Sequence, residues 1–280
     1  MKVEEANKLI DQIEGIDLST DEGKNTFGSI MQSRVIRGGA FKLTLNPHPD
    51  LFYIRARILK NKEDYYSTID DHSYNKKFPQ YIKRGRANFD EQAIFYAGRT
   101  RVTALAEVNI IQNRKEEEEV AYGVSRWIVN KPMDLIAILN PDTIDQINCG
   151  ELDGFLEFVK KTYIELKGTT NEGIIRFYKY LSEKFTERIT EGEEHKYVVT
   201  STFANQIFNK LPNVAGILYQ SVKWPETYNL AIKTEFIDNE HLIPSHIFKQ
   251  TFLRKNIDEL QEIRMEQAKS LDNKANKVEW

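Results

Sequence analysis

At 280 residues, with 40% hydrophobic side chains and a formal net charge of -3, the chain can bury a sizeable core. It carries no global field that would draw nucleic acid, and its single cysteine, Cys149, excludes an internal disulfide and a cysteine-only zinc site. The acidic start (Met1-Lys2-Val3-Glu4-Glu5) lacks the apolar run of a signal peptide, and no stretch approaches the ~20 apolar residues of a membrane span, so a soluble cytoplasmic protein is expected.

In chain order, Ala6, Leu9, Ile10 and Ile13 recur at helical spacing and predict a short amphipathic helix over residues 1–16. The polar run Ser19 to Asn25 reads as a loop or the cap of a second helix, and Gly38-Gly39 breaks what precedes it. Phe41 to Asn46 alternates as a strand and is ended by Pro47 and Pro49. Residues 51–58 form the next strand, with Tyr53, Arg55 and Arg57 on one face and Phe52, Ile54, Ala56 and Ile58 on the other. The polar, tyrosine-rich residues 60–82 read as a long loop with short helices.

Ala93 to Ala97 then predicts a strand, and Thr100 to Ile111 a helix capped by Thr100. The acidic run Lys115 to Glu119 reads as a solvated turn, and strands are expected at Ser125–Val129 and Leu135–Leu139. Two amphipathic helices fill residues 150–192. Tyr197 to Thr200 reads as a brief strand entering a helix, and further strands are expected at Gly216–Tyr219 and Tyr228–Phe236. After Pro244 a charged helix over roughly 250–270 and a polar tail are expected. These elements predict an α/β (α+β) fold. It divides into an N-terminal helical extension (1–45), a main unit (46–240) with a helical insertion at about 150–192, and a C-terminal helix and tail (241–280).

Taken in order, the unusual polar residues are Arg55, Arg86, Asn88, Tyr96, Glu107, Ser221 and Asn229. They sit in Phe52-Tyr53-Ile54-Arg55, Gly85-Arg86-Ala87-Asn88, Ile94-Phe95-Tyr96, Thr103-Ala104-Leu105-Ala106-Glu107, Gly216-Ile217-Leu218-Tyr219-Gln220-Ser221 and Asn229-Leu230-Ala231. This succession over roughly residues 50–235 resembles the RES family, named for an arginine, a glutamate and a serine. The chain departs from that pattern at Thr200-Ser201, where many members have Thr-Gln, and in its helical pair and first 40 residues.

The resemblance implies a compact mixed or antiparallel sheet related to ADP-ribosyltransferases, and an enzyme that destroys NAD. Such an enzyme cleaves the nicotinamide–ribose bond with water or phosphate as acceptor, as a toxin held by an antitoxin, here one of the Xre type. It further implies catalytic roles for Glu107, Arg55 and Ser221, and substrate binding by Arg86, Tyr96, Arg57 and Asn88. Glu107 would stabilise the cationic sugar, although an exposed helical glutamate is the commonest fate of that residue. Arg55 and Arg86 would clamp the pyrophosphate, because a guanidinium matches phosphate in bidentate fashion. Arg57 shares the Arg55 face and competes for the same role, with Arg55 preferred because it closes the aromatic run. Tyr96 would stack on nicotinamide, and Ser221, with no histidine beside it, suits a hydrogen bond better than nucleophilic attack. Asn88 and Asn229 read as residues that fix turns.

NAD enters as substrate, and no metal is expected: the five histidines form no ligating pattern. The basic cluster Lys76, Lys77, Lys83, Arg84 and Arg86 suits a rim over such a site as well as RNA. An oligomer is compatible with the sequence. Two other readings stay open, transfer of ADP-ribose to a macromolecule and a non-catalytic NAD-binding module.

Overall fold

The computed structural model describes residues 1–34, 41–109, 119–148, 150–190, 192–256 and 259–280. The expected Gly38-Gly39 break, the end of the central helix at Ile111, the Lys115–Glu118 part of the acidic turn and Cys149 lie outside the described residues. The α/β expectation holds. Among the described residues, nine strands form one mixed sheet flanked by helices on both faces. The strands are β1 (Phe41–Leu45), β2 (Phe52–Ile58), β3 (Ile94–Gly98), β4 (Glu119–Val129), β5 (Met133–Ile138), β6 (Val214–Gln220), β7 (Tyr228–Lys233), β8 (Leu242–Asn256) and β9 (Glu259–Gln267). They run in the order β1-β5-β6-β7-β3-β2-β4-β8-β9, and only the β5–β6 pair is parallel.

Alternation along the central strands divides the core into two layers. Tyr53, Phe95, Trp127 and Leu230 point to one face. Helix α5 (Asp153–Leu166) closes that face with Leu156, Val159 and Tyr163. The opposite face carries Ile94, Ile136, Ile217 and Ala231. It is covered by α1 (Val3–Glu14), α2 (Asp21–Arg34), α6 (Gly173–Thr186) and α7 (Tyr197–Lys210), which contribute Leu9, Phe27, Phe185 and Phe203. Helix α4 (Arg101–Asn109) lies on this second face too, packing Ala104 and Leu105 on Ile54 and Ala56 of β2.

The N-terminal helices are built into this layer. Tyr180 donates to Glu14 Oε1 (2.7 Å) and Lys184 pairs with the same carboxylate (3.0 Å). At Gly173 an added Cβ would stand 2.1 Å from the Lys2 carbonyl oxygen, so α1 and α6 meet backbone to backbone. Thr20 caps α2 through the Gly23 N–H (3.1 Å), as one of the two readings of that polar run anticipated.

Three expectations are corrected. Residues 250–270 are not a helix: they form the outer strands β8 and β9, followed by a hairpin of β10 (Ser270–Asp272) and β11 (Lys277–Glu279). The charged sequence of β9 has helical spacing, but its pairing with β8, itself paired along β4, overrides that local preference. The bulge between Thr251 and Phe252 and the charges of β9 suit a sheet edge. Residues 197–200 are likewise not a strand but the first turn of α7, where Val198 and Val199 are buried against the sheet. Residues beyond Lys233 leave β7 and form the short helix α8 (Thr234–Asp238), so that strand is shorter than expected.

Candidate active site

Helix α4 is aimed by its N-terminal turn. Thr100 caps it, accepting from the Thr103 N–H (3.1 Å). The Thr103 hydroxyl then bonds that of Thr227, across from β7, at 2.8 Å. Gly98 lets the helix approach, since a Cβ there would stand 3.0 Å from the Ala104 nitrogen. Glu107 follows Thr103 by four residues and shares its face. It therefore points at the same β6–β7 connection. Its Oε1 accepts from Ser221 Oγ (3.2 Å) and from Asn229 Nδ2 (2.8 Å). Ser221 is held in turn by the Trp224 N–H, which donates to its Oγ (3.3 Å).

Asn229 is thus a partner of the acid and not the turn-fixing residue expected from sequence. It is 2% exposed, and its Oδ1 has no hydrogen-bond partner among the described residues. Its place in the Asn229-Leu230-Ala231 run was the available signal; the turn-forming habit of asparagine obscured it.

The Gly85–Asn88 turn is linked to this acid through Tyr219, which feels the charges of both Glu107 and Arg86. The Tyr96 hydroxyl accepts from the Ala87 N–H (2.9 Å) and donates to Asn88 Oδ1 (2.8 Å), while Asn88 Nδ2 closes the turn on the Lys83 and Phe89 carbonyls. Burial holds the Tyr96 pKa well above its ordinary value. Tyr96 and Asn88 therefore shape the turn. A Cβ at Gly85 would lie 2.6 Å from Asn88 Oδ1 and 3.1 Å from the Tyr96 hydroxyl. Gly85→Ala is expected to cost about 1–3 kcal/mol by forcing these groups apart, read as a lowered midpoint in thermal melts.

The turn presents Arg86, 9% exposed, whose guanidinium donates to the Glu187 carbonyl (2.8 Å) and, at 3.5 Å, to that of Lys184. A cation at the C-terminus of α6 is electrostatically favourable. Its guanidinium carbon also lies 5.4 Å from the centre of the Tyr197 ring. Tyr197, the first residue of α7, and Tyr219, buried on β6, complete the surround; both feel the charges of Arg86 and Glu107. Burial raises the pKa of both phenols, most strongly for Tyr219. Tyr197 was missed as a site residue because it was read as a strand.

Arg55 and Arg57 do not join this group. They share the face of Tyr53, opposite the one on which α4 packs. Arg55 donates to the carbonyls of Ser73 (3.0 Å) and Tyr96 (2.6 Å) and lies over Phe95; Arg57 donates to the Asp71 carbonyl (2.8 Å). Burial, with Arg57 alongside, lowers the Arg55 pKa to about 9. Strands β2 and β3 pair only at Ile54–Gly98, and Arg55 reaches Tyr96 where they part. Of the two arginines and the acid expected to act together, Arg86 and Glu107 act on the same two tyrosines, Tyr197 and Tyr219, while Arg55 reaches the group only through the backbone of β3.

The basic cluster is largely neutralised. Lys76 pairs with Asp70 and Asp238, Lys77 with Asp71, and Arg84 with Asp90. Two clefts, of about 350 and 450 Å³, lie elsewhere; the first, lined by Glu14, Lys184, Glu187 and Lys196, backs onto the Arg86–Tyr197 wall. The site is recognised by its convergent polar groups and not by a deep hollow. Among the described residues no three potential ligands group to hold a metal, and no helix is long and apolar enough to cross a membrane.

No curated protein matches the sequence. The RES domain matches residues 56–252, a span that begins one residue after Arg55, includes Arg86, Tyr96, Glu107, Ser221 and Asn229, and leaves out α1, α2 and β9. With that match covering more than half of its length, and with the glutamate and serine of the motif in hydrogen-bonding contact, the chain belongs to the RES-domain family.

Proposed function

We propose that the protein consumes NAD by breaking its nicotinamide–ribose bond, as a toxin or growth-arrest effector restrained by an antitoxin partner. The observation that carries this reading is the Glu107 carboxylate, held at one oxygen by Ser221 and Asn229, with its charge felt by Tyr197 and Tyr219 together with that of Arg86. Family membership supports NAD as the substrate.

In the proposed step the C1′–N bond breaks and its electron pair leaves on the ring nitrogen. Nicotinamide departs neutral, and positive charge develops on the ribose. A fixed carboxylate beside that carbon stabilises the charge without a covalent intermediate. Water then adds to C1′ and loses a proton, giving ADP-ribose; phosphate attack would give its 1-phosphate. The second oxygen of Glu107 would meet the sugar or the acceptor. Arg86 supplies positive charge for the phosphates, and no carboxylate pairs with it among the described residues. Arg55 supports the site from behind, through the Tyr96 carbonyl.

A binding-only reading draws on one observation: Arg55, Arg57 and Arg86 all donate to backbone carbonyls, which occupy donors a phosphate would need. Incubating the purified protein with NAD, with and without phosphate, separates the readings. Nicotinamide release with ADP-ribose or its 1-phosphate is the expected result. Bound but intact NAD would favour the binding module, and a labelled macromolecule would favour ADP-ribose transfer.

A further inference from the structure

Three tyrosines lie around Arg86 and Glu107, and they are not equivalent. Tyr96 has its hydroxyl committed on both sides, to the Ala87 N–H and to Asn88 Oδ1. Tyr219 is 3% exposed within β6. Tyr197 is partly exposed, and its hydroxyl has no hydrogen-bond partner among the described residues. It stands at the start of α7, after the single turn Glu194–Lys196, and outside every motif that marks the family. One turn further on lie buried Thr200 and Ser201, where the chain departs from the family pattern; the Thr200 hydroxyl donates to the Tyr197 carbonyl (3.3 Å).

The ring already attracts a planar cation, the Arg86 guanidinium at 5.4 Å. An electron-rich aromatic face favours positive charge at such a distance. We propose that Tyr197 is the specificity-determining residue of this site, its ring the platform for the planar, positively charged base of the substrate before that base leaves. This rests on the NAD-cleaving reading. The nicotinamide of NAD is cationic while bound to ribose and neutral once released, so the platform holds the substrate and lets the product go. The ring keeps part of its charge while the bond is breaking, so the platform holds it about equally in the ground and transition states. Its loss should therefore raise KM and leave kcat nearly unchanged.

The test is steady-state nicotinamide release by the full chain, comparing wild type with Tyr197→Ala, Tyr197→Leu and Tyr197→Phe, each first checked by thermal melting. Tyr197→Ala is expected to raise KM for NAD about tenfold with kcat within about threefold, by the usual size of a ring-stacking contact. Tyr197→Leu keeps side-chain bulk without the aromatic face and is expected to behave the same way, which covers a failure of the alanine variant to fold. Tyr197→Phe is expected to restore KM. Unchanged KM in the alanine or leucine variant, or no rescue by phenylalanine, overturns the platform while leaving NAD cleavage standing. If the wild type binds NAD without cleaving it, dissociation constants from intrinsic fluorescence replace KM, and equal values for wild type and Tyr197→Leu overturn it. A wild type that neither binds nor cleaves NAD overturns both proposals.

Discussion

Glu107→Gln is expected to lower NAD turnover by about a thousandfold while shifting the thermal midpoint by no more than about 2 °C. Glutamine retains a side-chain oxygen in the place of Oε1, so the bonds from Ser221 Oγ and Asn229 Nδ2 can persist. What is lost is the negative charge beside the reacting carbon. The substitution thus separates chemistry from architecture. Nicotinamide release by the variant at the wild-type rate would remove Glu107 from the mechanism. Unfolding of the variant would instead assign the carboxylate a mainly structural place between α4 and the β6–β7 connection. The informative pair of measurements is product formation and a melt on the same preparation.

The second large effect concerns acid stability and lies on the other face of the sheet. His72 ends α3 (Ile69–His72), is 1% exposed, and packs edge-on against Tyr66. Neither ring nitrogen has a hydrogen-bond partner among the described residues. Gly123 makes room for it, since a Cβ there would stand 3.0 Å from the imidazole and 2.7 Å from Tyr66. Burial, which outweighs every other influence, lowers the His72 pKa from 6.5 to about 4.

Between those values the unfolded chain binds a proton that the folded chain refuses. The stability difference is therefore absent above pH 6.5 and grows as pH falls, reaching about 3 kcal/mol of destabilisation near pH 4. His72→Leu is expected to abolish this part of the acid slope. Melts at pH 7, 5.5 and 4.5 for both proteins would check it, and parallel curves would show that the histidine finds a compensating partner. The effect should reach the loop over Arg55 and Arg57, because Ser73 directly follows His72 and its carbonyl accepts from Arg55.

Much of the central layer was legible in the sequence because its signals are short-range. The apolar spacing of α1, α5 and α6, the Thr100 cap and the alternation of β2 each depend on neighbours within a few residues. Glu107, Ser221, Arg86 and Tyr96 were legible for another reason: their order along the chain matches a family motif, and a motif needs no geometry to be read.

The misses have specific causes. The Leu260 and Ile263 spacing of β9 imitates a helix, and only its pairing with β8 makes it a strand. The valines after Tyr197 imitate a strand, yet they sit in the first turn of a helix buried against β5 and β6. Asn229 reads as a turn former unless the helix that brings Glu107 to it is known.

By itself the sequence determined which strand face each arginine of β2 occupies, where α4 begins and which acid it carries, since backbone periodicity and capping are local. Which of those faces meets the acid was decided only by the tertiary structure. Packing of Ala104 and Leu105 on Ile54 and Ala56 set α4 on the side away from Arg55, so Glu107 met Ser221, Asn229 and the Arg86 turn instead. Strand alternation assigns a side chain to one of two sides, but the burial of a distant helix chooses between them, and that choice depends on contacts more than 40 residues apart.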